Sequence, residues 1–193
     1  HPEAHYDMVR AGIGLYGLSP DPAVATADEL GLIPALELRA PLTSVKVIEE
    51  GTPASYGGTW VAPTRRWIGL VPLGYGDGIF RAASNKARVV VRTEAGLLNA
   101  PLVGRVCMDQ FMVDLGPAQG DPGTPTARSG DAPAAVGDIA VLFGTGALGE
   151  PLADEWADAA STINYEIVTN LGTHIPRAYR DDTAHTQEKN THE

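Results

Sequence analysis

The sequence predicts a mainly β fold, an antiparallel sheet with one late helix, and three observations carry that prediction. Short apolar segments recur between turn signals, one of them from Leu36 alternates with period two, and only the stretch after Pro151 reads as a helix. The 193 residues, 44% of them hydrophobic, supply a real core and at about 150 residues per domain make one domain or slightly more.

Taken in order, residues 8–18 read as a strand running into a glycine-rich turn with Gly12, Gly14 and Gly17. Residues 19–31 are loop-like, because Pro20 and Pro22 break any regular element. Leu36, Leu38, Ala40 and Leu42 then alternate with Glu37 and Arg39, which predicts one half-buried strand continuing past Pro41 to about Ile48. Residues 67–73 form a short apolar strand that ends in GYGDG. RVVVR at 88–92 and the run at 97–103 flank TEAG and predict a hairpin. Residues 106–115 read as a strand with Cys107, Asp109 and Phe111 on one face, Met108, Gln110 and Met112 on the other. Residues 116–137, with five glycines and four prolines, are a solvated surface loop, and a strand at 138–143 follows. Pro151 opens the helix that runs to Ala160, with acidic residues behind it. Apolar runs at 163–168 and 174–179 complete the ordered part, and 181–193 are a frayed tail.

Composition excludes several functions. Fourteen Lys+Arg against 24 Asp+Glu leave a net charge of −10, which suits neither nucleic acid nor an anionic lipid surface. A single cysteine, Cys107, makes no internal disulfide, and five scattered histidines leave no cysteine-based metal cluster, so no metal is expected. No apolar run approaches the ~18 residues of a membrane span. The chain starts at His1 and reaches an apolar segment almost at once, so it reads as a piece of a longer polypeptide.

Three constellations carry potential chemistry. GTGALG at 144–149 matches a dinucleotide-binding pattern, but Glu150, Asp154, Glu155 and Asp158 would repel a pyrophosphate. The 44 residues after Gly149 are too few for the rest of such a fold, so the segment reads as a glycine-rich loop. Tyr56 in ASYGGTW and Tyr75 in LGYGDG sit between glycines that let the backbone turn and leave a phenol exposed. A phenol of ordinary pKa ~10 works as a base only beside a cation or in a dry pocket, and Arg10, Arg81 and Arg105 are candidate cations. On residue types alone, two loop tyrosines read as turn-packing residues. In VGRVCMDQF, Arg105 and Asp109 would share a strand face and could pair or line a polar wall, while Cys107 reads equally as core.

Four stretches nevertheless resemble the C-terminal part of the alanine racemases, pyridoxal-phosphate enzymes of bacterial cell-wall metabolism. They are MVRAGIGLYG, SYGGTW, LVPLGYGDGIFR with VGRVCMDQFMVDLG, and TINYEIVTNLGTHIPRAYR, in the family's order across 9–180. The resemblance implies that residues 1–31 are the remnant of an upstream, truncated (β/α)8 barrel, whose last strand starts near Met8. Residues 32–180 would then form the C-terminal β domain and 181–193 a disordered tail. It implies that Arg10 meets the pyridine nitrogen of pyridoxal 5'-phosphate, leaving the ring a weaker electron sink than a pyridinium. Gly12 and Ile13 resemble the amides that hold the phosphate, and Tyr165 the phenol that bonds it. Tyr56 resembles one of two catalytic bases, the other being a lysine upstream that also bonds the cofactor. Met108 resembles a residue whose amide meets the substrate carboxylate, and Tyr75, Arg81, Arg105 and Asp109 resemble the residues of the entrance.

The same resemblance implies a cytoplasmic homodimer with active sites at the subunit interface, making D-alanine for peptidoglycan. None of Lys46, Lys86 and Lys189 sits in a segment like the family's lysine motif, so the chain alone is expected to be inactive. It is also expected to self-associate or expose apolar surface, because its first strand lacks neighbours. The rivals are a non-catalytic β-barrel binding or assembly module, and a racemase of another small amino acid.

Overall fold

The computed structural model describes residues 3, 5–119 and 131–179. The tail at 181–193 and residues 120–130 of the predicted surface loop lie outside the described residues. Among the described residues there are nine strands: β1 (Leu38–Pro41), β2 (Ser44–Ile48), β3 (Pro53–Ala54), β4 (Trp60–Val61), β5 (Arg66–Val71), β6 (Arg88–Thr93), β7 (Gly96–Val103), β8 (Phe111–Pro117) and β9 (Ile139–Phe143). Two helices follow among the described residues, α1 (Ala153–Ala160) and α2 (Asn164–Thr169).

The main sheet is antiparallel and runs β1-β9-β6-β7-β8-β5-β2. Its two edges are consecutive in the chain. Leu42 donates its N–H to Asp138 O at 2.8 Å, and Thr43 donates to Leu70 O at 2.9 Å, so one corner of chain touches both sides. The sheet therefore curls so that its first and last strands meet at this corner. The single strand expected over 36–48 is thus two strands, broken at Pro41 and the corner after it; proline, lacking an N–H, suits a strand end. The alternation itself holds, with Leu38 and Ala40 buried and Arg39 exposed.

The hairpin β6–β7 forms with Thr93 opposite Gly96. Val89, Val90 and Val91 are all buried, as are 140–143 of β9, so these central strands are covered on both faces. Residues 8–18 are not a strand. Gly12–Tyr16 is a 3-10 turn, closed by Gly17 at φ 71°, where a Cβ would lie 1.7 Å from Ile33 O. Close return of the chain on 33–35, not ladder pairing, decides that conformation; Ala35 N–H bonds Tyr16 O at 3.0 Å.

The predicted helix is α1. Glu155 turns back to accept the Leu152 N–H at 3.1 Å, Asp154 and Glu155 complement the first turn, and Ser161 ends it in the left-handed region. Its Trp156 donates to Leu142 O at 2.5 Å and meets Phe111 edge-on at 6.3 Å, which fixes α1 over β9 and β8. The apolar run at 163–168 falls in the second helix, whose Ile167 and Val168 join the same core.

Candidate active site

The site is built on an irregular segment. The strand expected over 106–115 begins only at Phe111, because Cys107 N–H turns back to Gln110 O at 2.8 Å. The carbonyls of this segment are taken by other loops. Ser55 Oγ donates to Arg105 O at 2.7 Å, Tyr75 N–H to Cys107 O at 3.0 Å, and Gly76 N–H to Met108 O at 2.8 Å. The backbone of 105–108 is thus a platform from which both tyrosine loops hang. The Met108 N–H, by contrast, donates to no described group.

Tyr56 stands at the tip of the β3–β4 hairpin, in the turn Tyr56–Gly58. The residue before it, Ser55, has φ 61° and ψ −171°, a region that is essentially glycine's and costs another residue about 1–3 kcal/mol. Gly57 and Gly58 continue the turn with φ of 73° and 53°. The hairpin lies close on the platform: a Cβ on Gly104 would be 2.6 Å from Ala54 O. Arg105 lies against the turn, since a Cβ on Gly57 would be 3.4 Å from its Cζ. Tyr56 is 72% exposed, and its phenol has no hydrogen bond among the described residues.

A second support comes from the Arg81–Ala83 turn. Just beyond it, Ser84 Oγ accepts the Val106 N–H at 3.0 Å. Asn85 accepts the Gly104 N–H at 2.6 Å and donates to Thr59 Oγ1 at 3.1 Å, bridging platform and hairpin. Tyr75 opens the turn Tyr75–Asp77. Asp77 accepts the Gly74 N–H at 2.7 Å, pairs with His174 Nε2 at 2.7 Å and takes the Gly172 N–H on its carbonyl at 2.9 Å. A Cβ on Gly74 would sit 2.2 Å from Met108 O, so only glycine admits this approach.

The structure therefore gathers Tyr56, Tyr75, Arg105, Met108 and Asp109 around one platform, with Arg81 exposed in the turn that leads to Ser84 and Asn85. It does not put Arg105 and Asp109 on one strand face. Arg105 lies against Gly57 whereas Asp109 Oδ1 lies 3.6 Å from a Cβ position on Gly76, and the two make no ion pair among the described residues. The irregular chain between them removes the period-two geometry that the shared face assumed. Ser55, Asn85, Asp77 and His174 were missed by the sequence reading. Ser55 follows an alanine and Asp77 lies between glycines, Asn85 and His174 have neither as a neighbour, and in all four only the long-range partner distinguishes the residue from an ordinary turn residue.

The remaining predicted residues make a second group by sequence only: Arg10, Gly12 and Ile13 lie at or just before the turn Gly12–Tyr16 and Tyr165 on α2, and no hydrogen bond joins Tyr165 to the other three among the described residues. Gly12 has φ 56°, and a Cβ there would meet nothing within 4 Å. The N–H groups of Gly12 and Ile13 donate to no described group, and the Ile13 side chain is buried in the main core. Tyr165, on α2, is half-buried against that core, and Arg10 is exposed. Asn164 beside it is buried, and its amide donates to Ser19 O at 2.9 Å and Asp154 Oδ1 at 2.7 Å. The far end of α2 reaches the first group: a Cβ on Gly78 would be 2.2 Å from Asn170 O.

The glycine-rich loop at 144–149 holds an anion of the protein itself. Glu150, 4% exposed, accepts the Leu148 N–H at 2.8 Å and the Thr145 hydroxyl at 3.2 Å, and a Cβ on Gly144 would crowd it at 3.0 Å. Burial pushes this carboxyl up, but the surrounding hydrogen bonds outweigh it and hold the group below the ordinary 4.5. The place a phosphate would take is filled by a carboxylate. No described helix is long and apolar enough to cross a membrane.

Comparison with known proteins gives the same picture throughout. The model of the alanine racemase C-terminal domain matches residues 35–179. An alanine racemase of Mycobacterium tuberculosis is 43% identical over 180 residues, 93% of this chain and 42% of that protein. One of Streptomyces coelicolor is 45% identical over 182 residues, 92% of this chain and 41% of that protein. Its solved structure superposes with a TM-score of 0.77 at 44% identity, over 92% of this chain and 42% of that one. The alanine racemase of D-cycloserine-producing Streptomyces lavendulae gives 0.78 at 42%, over 95% and 44%. The chain spans less than half the length of these relatives, and its mostly β, curled antiparallel architecture matches theirs. By its sequence and its fold, the chain belongs to the alanine racemase C-terminal domain family.

Proposed function

We propose that this chain is the C-terminal part of a pyridoxal-phosphate-dependent alanine racemase and supplies one of its two proton-transfer bases, Tyr56. Residues 1–31 would belong to the cofactor-binding barrel and 32–180 to the β domain. The observation that carries the reading is the phenol of Tyr56, on an exposed residue and without a hydrogen bond among the described residues, at a hairpin tip held in a glycine-like conformation beside Arg105.

The residues of the second group suit an anionic cofactor. Two unengaged N–H groups at Gly12 and Ile13 border open space, which fits phosphate oxygens, with Tyr165 as a further donor and Arg10 toward the ring nitrogen. Pyridoxal phosphate, when bound, supplies the electron sink that makes the α-proton of alanine removable. The chain's own residues do the rest. Tyr56 takes or returns a proton at the α-carbon on one face, and the opposite face belongs to a base outside this chain. The free Met108 N–H would meet the substrate carboxylate, while Arg81 and Arg105 give an otherwise acidic protein a local positive field for it. Tyr75 and Asp109 flank the same entrance. The partners implied are alanine and a second subunit of a cytoplasmic homodimer whose site Tyr56 completes.

Tyr56→Phe in the full-length enzyme tests this. Since the two enantiomers are equally stable, kcat/KM must fall equally in both directions, by about 10²–10⁴-fold for a lost base. Exchange of the α-proton in heavy water separates the faces: it is lost for the enantiomer Tyr56 serves and kept for the other. Unchanged exchange for both enantiomers would remove Tyr56 from the mechanism. No exchange even in the unsubstituted protein loaded with cofactor would favour another amino acid or a non-catalytic module.

A further inference from the structure

We infer that Ser55 is a positioning residue, whose hydroxyl fixes the Tyr56 phenol by clamping the β3–β4 hairpin to the backbone of Arg105; its use in proton transfer rests on the reading of Tyr56 as a base. Three independent features converge on it. The phenol makes no hydrogen bond among the described residues, so its position follows the backbone at 55–57 with no polar side-chain anchor of its own. The ladder of the hairpin is short, Pro53 with Val61 and Ala54 with Trp60, extended at its base by Gly51 N–H to Ala62 O and Ala62 N–H to Thr52 O, both at 2.9 Å, so the end next to the tip has only two paired residues on each strand. And position 55 takes φ 61° and ψ −171°, where glycine is the residue of least strain.

A serine in a glycine's conformation needs a reason, and the Oγ provides one. It donates to Arg105 O at 2.7 Å and lies 3.4 Å from Cys107 Sγ, across fifty residues of chain. Gly104 makes the approach feasible, because a Cβ there would be 2.8 Å from Ser55 Cβ. The hydroxyl thus offsets the backbone strain it helps to impose. The same platform carries Tyr75 through Cys107 O, so the clamp also fixes one phenol loop relative to the other.

The test uses Ser55→Ala and Ser55→Gly in the full-length enzyme, with Tyr56→Phe beside them. Glycine relieves the backbone yet lacks the hydroxyl, so it separates clamp from strain. Both Ser55 variants should raise amide hydrogen exchange at 55–58 while leaving β6–β9 unchanged. Both should lower α-proton exchange about ten- to a hundredfold for the same enantiomer that Tyr56→Phe affects, with the other enantiomer unaffected. A merely structural defect lowers both enantiomers alike and overturns the positioning role. So does unchanged amide exchange, or a Gly variant as active as the parent. Should Tyr56→Phe spare both enantiomers, the base reading falls; rising amide exchange at 55–58 would still support the clamp, and unchanged exchange would overturn it.

Discussion

At the scale of single residues, the glycines of this chain do two different jobs. Gly104 has φ 75° and faces Ala54 O at 2.6 Å from its would-be Cβ, whereas Gly12 has φ 56° and faces open space. Gly12→Ala should therefore cost about 1–2 kcal/mol, the left-handed penalty alone. Gly104→Ala should cost more, about 2–4 kcal/mol, because the hairpin must also be pushed off its platform. Urea denaturation of the two variants measures the difference, and equal losses would contradict the close approach at Gly104. Glycine clusters were legible in the sequence as turns with exposed phenols between them. The hydroxyl of Ser55 and the carboxylate of Asp77 were not, because their partners Arg105 and His174 are distant in sequence.

Elements were legible where their pattern is set locally. The β6–β7 hairpin follows from RVVVR, TEAG and the apolar run after it, and α1 follows from Pro151 with Asp154 and Glu155. The segments 8–18 and 106–110 were misread as strands, since an apolar run such as the first or an alternating one such as the second forms a strand only where a neighbouring strand pairs with it. In one the chain folds back on 33–35, and in the other the Cys107 and Met108 carbonyls are taken by the Tyr75 loop and Gln110 O by the Cys107 N–H. The loop after β9 gives a prediction at this scale. The lowered carboxyl of Glu150 stabilises the folded state at pH values above its ordinary 4.5, and that contribution disappears as pH falls through the lowered value. Glu150→Gln should cost about 1–3 kcal/mol near neutrality and progressively less below pH 4.5. Denaturant midpoints of both forms across that range decide it; a gap that stays constant with pH would mean the charge of Glu150 contributes nothing.

Over the whole molecule, exposure is uneven. Tyr6, Met8, Val9, Leu15, Val24 and Ile33 are all more than 60% exposed, and all lie within the first 33 residues. The central strands β6 and β9 by contrast bury most of their apolar side chains. The isolated chain should therefore bind a hydrophobic dye or self-associate through its N-terminal segment, despite a net charge of −10 that repels its copies. A monodisperse monomer that binds no dye, in sedimentation and fluorescence measurements, would contradict this.

The sequence by itself determined the fold class, the hairpin, the first helix and the family, because alternation, turn chemistry and short motifs are properties of neighbouring residues. It also placed both phenols on glycine-bounded loops. Only the tertiary structure decided that the strand through Pro41 breaks and joins the two ends of the sheet, because closure depends on hydrogen bonds from Leu42 and Thr43 to residues far along the chain. Only the tertiary structure brought Tyr56, Tyr75 and Arg105 onto one backbone platform, and turned Arg105 and Asp109 toward different loops. Long-range hydrogen bonds to backbone carbonyls carry no periodicity and favour no residue type, so they leave no mark in the sequence that a reader can follow.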